Sequence, residues 1–268
     1  VLPQAVIPNR KALSFTDLPE LKDFETQRSV ASLLGIENPF FRVHEGYAGA
    51  TSLIEGKECL NFASYNYLGL NGHPRVKQAA KDAIDTYGIS ASASRVVAGE
   101  RDIHRTLERR IAAFIGVDSA VAFVSGHATN IALIGQLLRP KSDLLLHDAL
   151  IHNSIMVGAK LAGCARRAFP HNDYDALEAM LQEQAGRFER ILICVEGLYS
   201  MDGDSPNLAR LVELKERYNV WLMVDEAHSL GTMGPTGRGI AELQNVDPKR
   251  VDVWMGTLSK TLSGCGGY

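Results

Sequence analysis

Five short apolar runs constrain this chain more than any other feature: Ala120 to Val124, Leu144 to Leu146, Ile191 to Val195, Val220 to Val224 and Val251 to Met255. Helix-length segments separate them. A strand with one wet face alternates apolar and polar residues. A run that is apolar throughout instead suits a strand covered on both sides, as in a parallel sheet reached through crossover helices. The pattern predicts a three-layer α/β/α domain with a mostly parallel sheet. Pro74 should open a helix with Val76, Ala80, Ala83, Ile84 and Tyr87 on one face. A second helix should follow from Asp102, with Ile103, Leu107, Ile111 and Phe114 inward and Gly116 as its stop.

The first sixty residues read differently. Asp17 to Leu34 has helical spacing through Leu18, Leu21, Phe24, Val30, Leu33 and Leu34, and Pro39 closes the segment. Phe40 to Phe62 alternates and contains Gly46, Gly49 and a Glu55-Gly56 turn, which predicts a small hairpin. The expected organisation is an N-terminal arm and hairpin over residues 1–60 and a main domain over 61–268. A net charge of −3 and a pI of about 6.3 give no electrostatic footprint for nucleic acid or an anionic membrane, so the expected partner is a small molecule. The chain shows no secretory h-region and no stretch near the roughly 18 apolar residues of a membrane span. Cys59, Cys164, Cys194 and Cys265 lie far apart and read as reduced thiols of a cytoplasmic protein.

In a doubly wound sheet, ligands collect beyond the carboxyl ends of the strands. The residues that follow the apolar runs are polar here: Ser125-Gly126-His127, His147-Asp148, Glu196-Gly197, Asp225-Glu226-Ala227-His228 and Thr257-Leu258-Ser259-Lys260. Ser125-Gly126-His127 reads as a strand-to-helix turn able to take a phosphate, although an ordinary helix cap satisfies the same pattern. Asp225 ends an apolar strand, where a carboxylate needs a cation or hydrogen-bond donors, and a protonated pyridine nitrogen or a structural ion pair would both serve. Lys260 sits in a small-residue loop where desolvation makes an amine nucleophilic, against the alternative of a solvated surface lysine. His152 and His228 could stack on or bond to an aromatic cofactor, and Ser200 could donate to its phenolic oxygen. A competing arrangement makes His147, Asp148, His152, Asp225 and His228 a metal cluster, but it leaves Lys260 unused. Taken in order, the phosphate turn, the stacking His, the Ser, the Asp-x-x-His and the Ser-Lys meet every need of one cofactor.

Five motifs carry a resemblance: Asn61 to Leu70 (NFASYNYLGL), Ser125 to Asn130 (SGHATN), Glu196 to Asp204 (EGLYSMDGD), Val224 to His228 (VDEAH) and Gly256 to Lys260 (GTLSK). Together they resemble the α-oxoamine synthase family, which includes serine palmitoyltransferase-like, 5-aminolevulinate synthase-like and 8-amino-7-oxononanoate synthase-like members. The resemblance implies pyridoxal 5′-phosphate as cofactor and the large domain of the fold type I PLP-dependent transferases. It implies a Schiff base at Lys260, the pyridine nitrogen at Asp225 and ring stacking by His152. Ser200 and His228 would address the phenolic oxygen, Ser125, Gly126 and His127 the cofactor cradle, and Thr257 with Ser259 the phosphate. Catalytic duty would fall on Lys260, His152, Asp225 and His228, and substrate contacts on Tyr65 and Asn66.

The resemblance further implies condensation of an amino acid with an acyl thioester, with decarboxylation, to an α-amino ketone, by a homodimer. Another fold type I activity, aminotransferase or aldolase, and a non-catalytic partner subunit are the alternatives. Three departures stand out. Gly88 to Arg95 (GISASASR) carries Ser and Ala where many members have glycines, and Tyr65 stands where some branches have Asn. The chain also stops eight residues after Lys260, so it reads as a fragment without the C-terminal small domain and the arginine that usually meets the substrate carboxylate. Tyr65-Asn66, the Ser/Ala loop and Ser125-Gly126-His127 look most like synthase domains of polyketide-type assembly lines, which would make an acyl-carrier protein the acyl donor.

Overall fold

The computed structural model describes residues 14–268 apart from Pro39 and Ala185. The expected stop at Pro39 lies outside the described residues. The chain packs as two compact units, one ending at Gly46 and taking in Ser52–Cys59, the other made of Tyr47–Thr51 and Leu60–Tyr268. In the first, the predicted arm is helix α1 (Pro19–Leu33), which buries none of its residues. Strands β1 (His44–Glu45), β2 (Thr51–Ile54) and β3 (Lys57–Leu60) form a small sheet. The β2–β3 connection is the predicted Glu55-Gly56 turn, with φ of 51° and 75°, the left-handed pair that a two-residue hairpin requires.

The second unit carries helices α2 (Pro74–Tyr87), α3 (Asp102–Ile115), α4 (Gly126–Leu137) and α5 (Asn153–Ala162), then α6 (Tyr174–Gln184), α7 (Leu208–Tyr218) and α8 (Ile240–Leu243). Its sheet holds β4 (Asp143–Asp148), β5 (Ala165–Phe169), β6 (Arg190–Glu196), β7 (Trp221–Asp225) and β8 (Val253–Met255) in the spatial order β5-β4-β6-β7-β8, parallel throughout. Successive residues point to opposite faces, and both faces are dry. Leu144, Leu146, Ile193, Val195, Leu222 and Val224 pack with Leu177, Leu181, Leu208 and Leu211 of α6 and α7. Leu145, Leu192, Cys194 and Met223 pack with Ile134 of α4 and Ile155 and Ala159 of α5. This is why the runs are apolar at every position, and it makes the predicted three layers.

The two helices on the second face lie close because Gly158 of α5 has no side chain. A Cβ there would come within 3.0 Å of the Asn130 carbonyl oxygen and of Ile134 Cβ on α4. Among the described residues no helix is long and apolar enough to cross a membrane, and all four cysteines are unpaired.

Three expectations need correction. Ala120 to Val124 forms no strand of the sheet. Phe123 makes one antiparallel bridge to Gly267, and Val121 and Val124 stay exposed. The run lacks a neighbouring ladder because among the described residues only Gly267 offers it backbone bonds, at 2.7 and 3.0 Å, while Ala122 is held instead by the side chains of Arg95 and Glu108. Strand β5, which the runs did not announce, is an edge strand whose Arg166 and Arg167 face solvent, so it never had to read as apolar. On α3 the buried residues are Ile111, Ala112 and Ile115, whereas Ile103 and Phe114 are exposed. Gly116 does cap that helix, with φ 92°. Pro74 does start α2, but the apolar face of that helix buries nothing in this chain.

His171 fastens the loop after β5 to a distant turn. Its Nδ1 meets Asp148 Oδ1 at the end of β4 and its Nε2 meets Asp204 Oδ2, both at 2.8 Å. Burial pulls its pKa down, but the two carboxylates outweigh burial and leave it above the ordinary histidine value. A raised folded-state pKa adds stability that is complete below the unfolded value of about 6.5 and fades as pH rises through the folded one. Unfolding free energy followed upward from about pH 6.5 should therefore decline, and His171→Gln should flatten that decline. An equal slope in the variant would contradict the assignment.

Candidate active site

The chain leaves β4, crosses to β5 on one side, then returns to place β6 on the other, so the carboxyl ends of β4 and β6 flank the point where the sheet reverses its direction of growth. A cavity of about 320 Å³ opens there. Its walls come from five places: the start of α4, the start of α5, the ends of β6 and β7, the loop after β8, and the segment before α2 that carries Tyr65.

The first wall is the N-terminus of α4. Ser125 is its cap, its Oγ accepting from the Ala128 amide at 3.0 Å. Gly126 is required by close approach: a Cβ would come within 2.9 Å of Thr257 Cβ. The Thr257 and Ser259 hydroxyls lie 2.7 Å apart beside this turn. A helix N-terminus with two adjacent hydroxyls is the arrangement that receives an anion.

Opposite charge lies deeper. Asp225, the last residue of β7, is almost wholly buried; its Oδ2 accepts from Asn130 Nδ2 and its Oδ1 from the Ala227 amide, each at 2.9 Å. Burial raises its pKa, while the two donors, Lys260 and His152 oppose the rise. Glu196 pairs with Asp225 across β6 and β7, and burial, aided by the Asp225 charge, pushes it up to about 8. Glu196 is therefore mainly neutral at pH 7, and the carboxylate held by donors is Asp225. His152 caps α5, with its Nδ1 2.7 Å from Ser154 Oγ, and burial lowers its pKa so that its ring is neutral. Its ring meets that of His127 edge-on at 6.2 Å.

Lys260 approaches from the loop after β8. Its Nζ lies 2.7 Å from His228 Nε2 and 5.3 Å from the centre of the Tyr65 ring. Burial lowers its pKa, against the pull of Asp225 and Glu196. Burial, then the Lys260 charge, takes His228 down to about 4.

Most residues singled out in the sequence meet at this cavity: Ser125, Gly126 and His127 at one wall, His152, Asp225 and His228 at the next, and Thr257, Ser259, Lys260 and Tyr65 around them. Two do not. Ser200 lies in the exposed turn after Tyr199 and is not in the cavity wall. Asn66 is used to tie loops together, its Nδ2 donating to the Ala48 carbonyl at 2.8 Å and its Oδ1 accepting from the Asn71 amide and the Ser263 hydroxyl. Sequence reasoning missed Asn130, Ser154 and Tyr67, and it marked Glu196 as a strand-end residue without giving it a role. Asn130 had a signal, since it stands one helical turn after Gly126 on the same face of α4. The metal arrangement does not form: His147 Nδ1 bonds the Asp148 carbonyl, Asp148 serves His171, and among the described residues no three His, Cys, Asp or Glu side chains gather as ligands.

The site fits a group with an anionic end, a flat aromatic body and a basic ring nitrogen. Asp225 is a buried carboxylate that lacks a salt-bridge partner among the described residues. Asn130 Oδ1 beside it is buried without a hydrogen bond. A parallel sheet with helices on both faces, a lysine after the last strand and an aspartate one strand away define the large domain of a fold type I pyridoxal-phosphate protein.

Comparison with known proteins agrees. Residues 57–268 match the model of the family described as aminotransferase class I and II. The chain belongs to that family, and its relatives place it in the α-oxoamine synthase branch. It is 41% identical over 249 residues to the 8-amino-7-oxononanoate synthase of Geobacter metallireducens, covering 92% of this chain and 62% of that one. It is 43% identical over 219 residues to serine palmitoyltransferase 2 of Saccharomyces cerevisiae, covering 78% of this chain and 39% of that one. The solved Sphingomonas wittichii serine palmitoyltransferase superposes with a TM-score of 0.88 at 28% identity, over 95% of this chain and 63% of that one. The chain spans 38% to 62% of the length of such curated relatives. Pyridoxal 5′-phosphate is the cofactor of this family, it is present in a solved SPT structure of the same similarity, and the residues at the cavity fit it.

Proposed function

We propose that residues 61–268 are the cofactor-binding domain of a pyridoxal-phosphate acyltransferase that condenses an amino acid with an acyl thioester, releasing carbon dioxide and an α-amino ketone. One observation carries the reading: the amine of Lys260, in the loop after β8, and the carboxylate of Asp225, at the end of β7, line the same cavity with His152 beside them. The branch to which the relatives belong supports the choice of reaction.

Pyridoxal phosphate, when bound, supplies a carbonyl that captures an amine and a conjugated ring that accepts the electron pair left by a departing group. Lys260 would hold that carbonyl carbon, and its free amine would take the α-proton of the amino acid at Nζ. Asp225 would hold the ring nitrogen in its protonated form, the buried carboxylate and the cation each removing the other's desolvation cost. The neutral ring of His152 would lie against the ring face. Gly126, His127 and Ser125 at the start of α4, with Thr257 and Ser259, would bind the phosphate. His228 would orient both the phenolic oxygen and Lys260. Tyr65 would close the cavity over the reacting atoms and exclude water.

Under this reading the protein works as a homodimer, and the acyl donor is coenzyme A or an acyl-carrier protein. The test is product analysis of the full chain loaded with cofactor and given an amino acid plus an acyl thioester. Equal amounts of carbon dioxide and α-amino ketone are expected. An oxo acid with the amino group transferred, or an aldehyde from carbon–carbon cleavage, would establish a different fold type I reaction.

A further inference from the structure

Tyr67 belongs to none of the roles above, yet it touches the catalytic loop across 161 positions of sequence. Its hydroxyl oxygen lies 2.8 Å from His228 Nδ1, while the other ring nitrogen of His228 lies 2.7 Å from Lys260 Nζ. We infer that Tyr67 is a positioning residue: its oxygen holds the His228 proton on Nδ1 and so keeps the Nε2 lone pair turned on the Lys260 amine. The inference rests on Lys260 being the cofactor-holding residue, and it adds what prepares that amine.

The assignment follows from counting donors. An ammonium group only donates, so where Lys260 is protonated His228 Nε2 must accept. The face of the Tyr65 ring, 5.3 Å from Nζ, suits a cation there. A neutral imidazole has one N–H, and with Nε2 accepting, that hydrogen sits on Nδ1 and points at the Tyr67 oxygen. His228 is neutral because burial and then the Lys260 charge disfavour its protonated form. Tyr67 stays a phenol because burial, then Tyr65, raises its pKa. The titratable groups facing His228 are Lys260, His152, Tyr65 and Tyr67, and those facing Lys260 are Asp225, Glu196, His228 and Tyr65.

The arrangement frees an amine. One proton leaves Lys260 Nζ to water, while His228 Nε2 accepts a hydrogen bond from one that stays, so the Nζ electron pair is free to attack a carbonyl carbon. His228 stays neutral, its Nδ1–H on the Tyr67 oxygen. Without the Tyr67 oxygen, Nδ1–H has no acceptor in this setting. The proton then favours Nε2, where it donates to the freed electron pair and blocks the attack.

Nitrogen NMR of the full chain stripped of cofactor reads the tautomer directly, with the His228 signal identified by its loss in His228→Asn. The wild type should carry the proton on Nδ1. Tyr67→Phe keeps the ring that packs against Tyr65 and His228, at 6.3 and 6.1 Å, and removes only the oxygen. It should shift the population towards Nε2–H and slow recapture of added pyridoxal phosphate at neutral pH about tenfold, the size of one lost hydrogen bond. Nε2–H in the wild type overturns the inference. So does a Tyr67→Phe protein, stable or not, whose tautomer and capture rate match the wild type. Should that variant fail to fold, the wild-type tautomer alone decides. The tautomer readout does not depend on the wider reading of Lys260, which falls instead if Lys260→Ala keeps its covalent cofactor.

Discussion

Lys260→Ala is expected to abolish the visible absorbance that the full chain gains on loading with pyridoxal phosphate. Borohydride should then fix cofactor mass on the wild-type peptide that spans residue 260 and none on the variant. Capture of a carbonyl needs an unprotonated amine, and Lys260 is the cavity's one amine among its wall residues, with its pKa lowered mainly by burial. Turnover should fall by roughly 10²- to 10⁴-fold beyond the loss of attachment, because the same amine carries the proton. The variant should still fold, since Lys260 makes one side-chain bond, to His228, and that ring remains held by Tyr67. Persistence of the absorbance would remove the amine from the mechanism.

Asp225→Asn is expected to move function and stability in opposite directions. Exchange of the amino acid α-proton with solvent deuterium should slow by roughly 10²- to 10³-fold, the range seen when one preorganised group facing a developing charge is removed. Undiminished exchange would contradict the role. The cofactor-free protein, by contrast, should gain stability at neutral pH. Burial raises the Asp225 pKa in the folded chain. A raised carboxyl pKa means stability is highest below the unfolded value of about 3.9 and declines as pH climbs through the folded one. The amide has no such charge. It can accept from Ala227 with its oxygen and, once the Asn130 amide turns over to present Oδ1 in place of Nδ2, donate to that oxygen, which now has no partner. Denaturant unfolding of the stripped proteins measures the difference. A less stable variant would show that Asp225 is kept for the fold and not against it.

Much of this site was legible because strand ends in a parallel sheet converge. Asp225 and Lys260 could be picked from the residues after apolar runs without knowing where any side chain points. What stayed hidden has identifiable causes. Strand β5 carries arginines because it is the edge, so hydrophobic counting passed over it. Ala120 to Val124 counted as a strand because periodicity cannot tell whether a neighbour exists to pair with. Ser200 followed a motif, and here its turn points it to solvent. Asn66 stood next to an aromatic in a recognisable segment, yet its amide is consumed by backbone groups of two loops. Tyr67 and His228 meet through the fold alone, which no local pattern encodes.

The narrow gap over Gly158 has a reach beyond packing. Asn130 leans on it through its main chain and on Asp225 through its side chain. The separation of two helix axes thus becomes the ruler that meters how firmly the acid is gripped. A methyl group far from any substrate would loosen that grip without altering a single reacting atom.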